Sequence, residues 1–81
     1  MKNSLRNLAR DDVLKSFGMA LRLLRREKGL SQEALANLAE IDRSYLGAIE
    51  RGEHNIALIN ISKLVRVLDC SVSDLMQIAG L

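Results

Sequence analysis

The sequence predicts an all-α domain, a compact bundle of five short helices with a helix-turn-helix at its centre. Two observations set the class: no proline interrupts any element, and no run of β-branched residues alternates with polar ones. A third sets the centre. Ser31 and Asp42 are both helix N-cap residues, and between them there is room for only one short helix and a tight turn of about three residues. The 81 residues make one domain, and 48% apolar content with one Phe, one Tyr and no Trp implies an aliphatic core.

Residues 1–10 are short of apolar side chains and read as a flexible arm or an extra helical turn around Leu5, Leu8 and Ala9, leaving 11–81 as the domain proper. Asp11 or Asp12 caps the first helix. Its Leu14, Phe17, Leu21 and Leu24 form an inward stripe at three-and-four spacing that ends at Gly29. Ser31 opens the second helix by offering a hydroxyl to a first-turn amide, and Gln32-Glu33 bring an acid to the positive helix end. Leu35, Ala36, Leu38 and Ala39 supply its apolar stripe, with the two alanines small enough for a close helix approach. Asp42 caps the third helix, which carries Leu46 and Ile49 as its apolar positions with Ala48 beside them and stops at Gly52 in a left-handed conformation. After Glu53-His54-Asn55, a fourth helix starts near Ala57 without a good cap and carries Leu58, Ile61, Leu64, Val65 and Leu68. Ser71 and Asp74 form a capping box for a fifth helix, Val72 to about Ala79.

Two caps this close mark a helix-turn-helix of the kind that docks in DNA. Arg43, Ser44 and Tyr45 then stand on the first turn of its second helix, polar and able to donate hydrogen bonds to base edges. By periodicity alone the same segment is also an ordinary helical hairpin. The net charge of +2 hides an uneven distribution: residues 1–28 hold eight Lys and Arg against three acids, whereas 29–55 hold two against five. A basic first helix beside such a motif suits phosphate contacts, although a solvated helix face has the same composition.

Several function classes find no support. Metal ligation and nucleophilic catalysis both need partners at fixed spacing, and the chain has a single histidine, His54, and a single cysteine, Cys70. Neither a catalytic residue nor a metal or cofactor is expected, and no separate sensing domain suggests a small-molecule effector. Cys70 reads as a small buried hydrophobe near a helix start. His54 is either a solvated loop residue or a donor to a phosphate oxygen next to Asn55. With no secretory signal and no run of about 18 apolar residues, the expectation is a cytoplasmic protein without a membrane span. Leu75, Met76, Ile78 and Leu81 crowd the short last helix. Their surface either meets a second subunit or closes the protomer's own core. A two-fold homodimer would present two recognition helices about 34 Å apart, matching a palindromic operator.

From about Phe17 to Leu68 the chain resembles the helix-turn-helix domain of the Cro/C1 repressor family, also called the XRE family. Within it, residues 24–33 (LRREKGLSQE) and 42–56 (DRSYLGAIERGEHNI) are similar to the controller proteins of restriction-modification systems. The resemblance implies a bundle of the lambda-repressor-like DNA-binding type, double-stranded DNA as partner, and autoregulation of a restriction-modification operon by blocking or recruiting RNA polymerase. It implies that Gln32 contacts phosphate, that Glu33 approaches the groove edge and that Arg43 grips guanine through two bonds. Arg51, His54 and Asn55 would lie on the DNA backbone. Arg25 and Glu50 match a pair that forms a salt bridge in relatives, with Arg25 also reaching phosphate. Gly47 and Ala48 would face a region where relatives often carry longer polar side chains. Three positions depart from the pattern: Glu40 where many relatives have glycine in the turn, Ala34 where a glutamate often completes a capping box, and Ala57 where Ser or Thr often caps the fourth helix. Antitoxins and phage repressors use the same domain, and a protein-interaction module that keeps the fold without reading DNA is the alternative from another class.

Overall fold

The computed structural model describes residues 9–81, which form α1 (Arg10–Glu27), α2 (Gln32–Ala39), α3 (Arg43–Glu50), α4 (Leu58–Leu68) and α5 (Val72–Ala79). No strand occurs among the described residues. The arm expected around Leu5 and Leu8 lies outside them.

Most boundaries have a local chemical cause. Ser31 Oγ accepts from the Ala34 amide and Asp42 Oδ2 from the Tyr45 amide, each at 3.0 Å, so both motif helices start where a side chain satisfies a free N–H. Ser71 and Asp74 exchange the two bonds of a capping box at 2.9 and 3.0 Å. The start of α1 differs from expectation. Ala9 takes the cap position without a side-chain bond, and Asp11 and Asp12 lie inside the first turn, where their charge meets the positive end of the helix dipole. At the other end the Leu30 amide donates to the Arg25 carbonyl at 3.1 Å, wrapping the chain off the helix at Gly29. α4 begins after Ala57 without a side-chain cap.

α1 packs against α3 and α5, α2 against α3 and α4, and α4 against α5. Leu21, Leu35, Leu46, Ile49, Leu64 and Leu75 are the deepest side chains of a core that is aliphatic apart from Phe17. Two leucines assigned to inward stripes point out instead. Leu38 on α2 and Leu58 on α4 are exposed, because Leu35, Ala36 and Ala39 already fill one contact face and Ile61, Leu64, Val65 and Leu68 the other.

The last helix corrects the expected dimer surface. Leu75 is fully buried within the protomer and has no surface to offer a second subunit. Met76 and Leu81 also pack against the protomer's core, which leaves Ile78 as the exposed member of the four. Ile78 lines an open groove between α1 and α5 together with Met19 and Leu23, with Arg22 and Arg26 beside them.

Candidate nucleic-acid interface

The turn between α2 and α3 fixes how the two motif helices cross. Glu40 sits in the left-handed region at φ 59° and ψ 47°, its amide donates to Asn37 at 3.2 Å, and the Ile41 amide donates back to Ala36 at 2.9 Å. The usual glycine is therefore absent but its conformation is kept, at a cost on the order of 1 kcal/mol.

Two contacts then hold α3 against α1. The first is steric: a Cβ on Gly18 would lie 2.5 Å from the carbonyl oxygens of both Ile49 and Glu50, so the backbone of α1 rests directly on the last turn of α3. The second is ionic. Arg25 Nε donates to Glu50 Oε2 at 2.7 Å and Nη2 to Oε1 at 3.0 Å, while Nη1 donates to the Leu30 carbonyl at 2.8 Å. Arg25 is 8% exposed and Glu50 7%, and every nitrogen of the guanidinium is engaged inside the protein. Arg25 is thus first a structural part, as the expected pairing with Glu50 requires, and its additional contact with phosphate would fall to the one N–H left on each of its two terminal nitrogens.

Gln32 extends the same network toward the surface. Its Nε2 donates to Glu50 Oε1 at 3.0 Å, and its Oε1 accepts a long bond from Arg43 Nη1 at 3.5 Å. The half-buried amide thus links the base of α3 to the first side chain of its exposed turn. Arg43 and Ser44 stand exposed there. Tyr45 is half-buried against the core, and its hydroxyl accepts from Asn60 Nδ2 at 3.3 Å, so the ring is braced on α4 while its own O–H stays available as a donor. Asn60 carries no sequence signal, since only the fold brings it to Tyr45.

Gly47 and Ala48 are buried rather than open to a groove. A Cβ on Gly47 would lie 3.2 Å from Arg51 Nη1 and 3.5 Å from Gln32 Oε1, which shows Arg51 folded back across α3 beside Gln32. Arg51 itself is exposed and paired with Glu53, Nε to Oε2 at 3.0 Å. Each holds the other in its charged form: the side-chain bond raises the Arg51 pKa and lowers that of Glu53. Glu33 is exposed on the first turn of α2, and His54 and Asn55 are exposed in the loop after α3. Gly52, at φ 76°, lies against α1 so closely that a Cβ would be 2.7 Å from Lys15 Cγ. Lys15, one charge among many in the sequence, is thereby set beside this loop, whereas Arg22 and Arg26 from the same basic run border the α1–α5 groove.

Cys70 is half-buried, and desolvation with the nearby Asp74 and Asp69 charges pushes its thiol pKa up, away from the reactive thiolate. Among the described residues, no group of three His, Cys, Asp or Glu is placed to hold a metal ion. No helix among them is long and apolar enough to cross a membrane.

Residues 21–75, from the middle of α1 into α5, match the model of the helix-turn-helix family HTH_3. The chain belongs to that family. Its relatives include control protein C.MunI from Mycoplasma sp, 39% identical over 66 residues that cover 80% of this chain and 89% of C.MunI. Among solved structures, the restriction-modification controller protein C.AhdI from Aeromonas hydrophila superposes with a TM-score of 0.75 at 53% identity, covering 76% of this chain and 94% of that one. The C.Esp1396I controller tetramer in complex with its natural 35 base-pair operator superposes with a TM-score of 0.75 at 27% identity, over 83% of this chain and 88% of that one.

Proposed function

We propose that this protein is a sequence-specific DNA-binding transcriptional regulator that acts as a dimer on a palindromic operator and controls a restriction-modification operon. The observation that carries the reading is the exposed first turn of α3, with Arg43 and Ser44 outward, on a hydrogen-bonded frame that is buried at Arg25–Glu50 and reaches the surface through Gln32. A side chain reads a base edge only if its base of attachment is fixed, and this frame fixes it. The likeness to C.MunI and C.AhdI supports the controller assignment, and the C.Esp1396I operator complex supports duplex DNA as the partner.

In this reading α3 enters the major groove, where Arg43 grips the two acceptors of a guanine and Ser44 and the Tyr45 hydroxyl add single bonds. Gln32 meets a phosphate at the start of α2, and Glu33 lies at the groove edge. Arg51, His54, Asn55 and Lys15 meet phosphates on one side, fixing register without carrying sequence information. The protein performs no covalent chemistry. It acts in the cytoplasm by occupancy, excluding RNA polymerase or recruiting it according to where the operator lies.

Selection of bound sequences from a random duplex pool tests the reading. The expected product is a palindrome whose half-sites are centred about one helical turn, ~34 Å, apart. Recovery of no preferred sequence would overturn it in favour of a protein-interaction module.

A further inference from the structure

The Arg51–Glu53 pair lies within the surface that the proposed function turns toward DNA, and it places a carboxylate where phosphate is expected. Arg51 Nε and Nη2 donate to the two oxygens of Glu53 at 3.0 and 3.1 Å. That side-on fork is also how a guanidinium grips two oxygens of a phosphate. Both partners of the fork are held from behind. Gly47 leaves the space over α3 in which the guanidinium lies, since a Cβ there would stand 3.2 Å from Nη1. Gly52, at φ 76°, reverses the chain so that the Glu53 amide donates to the Ala48 carbonyl at 2.9 Å.

We propose that Glu53 is an internal phosphate mimic, which occupies the fork of Arg51 in the free protein and must be displaced before that arginine can engage DNA. The proposal rests on the DNA-binding reading above and adds a specificity element to it. Each Arg51–phosphate contact is offset by the loss of the Glu53 bond, so Arg51 adds little to binding at arbitrary sequences. Discrimination is then left to the Arg43 turn.

The test is DNA binding by wild type, Glu53→Gln, Arg51→Ala and the double variant, on the selected operator and on an unrelated duplex, across a range of salt. Both sites are exposed, and unchanged thermal melting establishes that each variant is folded. Glu53→Gln is expected to tighten binding of the dimer to both duplexes by roughly four- to 25-fold, about two- to fivefold for each of its two exposed ion pairs. It should also steepen the slope of log affinity against log salt by about 1.8, since neither of the dimer's two Arg51 charges is then already neutralised by a carboxylate. In the Arg51→Ala background both gains should disappear. A gain that survives there in full would mean that Glu53 merely repels DNA, and no gain at all would mean that it does not compete; either result overturns the proposal alone. Wild-type protein that selects no DNA overturns the DNA-binding reading, and this proposal with it.

Discussion

Glu50 accepts hydrogen bonds from Arg25 and Gln32, and through Gln32 it reaches Arg43. A buried ion pair is not by itself a source of stability, because desolvation offsets most of its Coulomb attraction, but losing one partner strands the other's charge. Glu50→Ala should therefore cost about 3–5 kcal/mol in thermal or denaturant unfolding, while the double variant Arg25→Met, Glu50→Leu should recover most of that loss. Unchanged melting of Glu50→Ala would refute the pairing as the anchor of α3. Arg43 stands at the other end of the network and is exposed. Arg43→Ala should leave melting unchanged and remove about 1–3 kcal/mol of discrimination at a single base pair, measured by competition between operator variants. A uniform loss across all sequences would assign Arg43 to phosphate instead. The spacing of the motif pointed to the first turn of α3, but it could not distinguish Arg25, engaged in the interior, from arginines exposed at the surface. Charge is visible in a sequence, whereas the enclosing carbonyl of Leu30 and carboxylate of Glu50 belong to the fold.

Helix boundaries were legible wherever their cause is local. Ser31, Asp42 and the Ser71–Asp74 box each bond within their own first turn, so residue type and spacing sufficed to place them. The α1–α3 crossing was not legible, since the need for Gly18 arises only when the carbonyls of Ile49 and Glu50 arrive above it. The turn residue Glu40 gives an element-level prediction. Glycine adopts φ 59° without the Cβ penalty, so Glu40→Gly should stabilise the domain by up to about 1 kcal/mol, or roughly 4–8 °C in melting temperature. A fall in melting temperature would show that the larger backbone entropy of glycine in the unfolded chain outweighs the relief. The cap of α5 gives a pH prediction. Hydrogen bonds from Ser71 lower the Asp74 pKa below its ordinary 3.8, so the folded state favours the carboxylate. Its contribution is fully present above that ordinary value and is lost as pH falls through the lower folded value. Melting of wild type and Asp74→Ala should differ at neutral pH and converge in acid below 3.8. A gap independent of pH would exclude ionisation of Asp74 as its source.

At the scale of the molecule, composition was enough for an all-α class and an aliphatic core, but periodicity could not divide α5 between its own protomer and a partner. The helix packs against both α1 and α4, which draws Leu75 inward and leaves Ile78 outside. Ile78 is 46% exposed, and it shares its groove with Met19 at 70% and Leu23 at 49%. Met19 and Leu23 lie one helical turn apart on α1, on a stripe that the protomer's core does not use. A homodimer closed on this contiguous apolar groove would take Met19, Leu23 and Ile78 out of water, and Arg22 and Arg26 beside it can keep their charges at the wet rim. The dimer of the proposed function is therefore expected to close on Met19, Leu23 and Ile78 rather than on Leu75. Ile78→Asp places a charge in that contact without opening the core. It should convert the dimer to a folded monomer in sedimentation at micromolar concentration, and it should weaken operator binding by uncoupling the two half-sites. Leu58→Asp, at another exposed apolar position on the start of α4, is the matched control and should sediment as wild type. If Ile78→Asp remains dimeric while Leu58→Asp dissociates, the two-fold contact lies at α4, and the α1–α5 groove is not the surface that sets operator spacing.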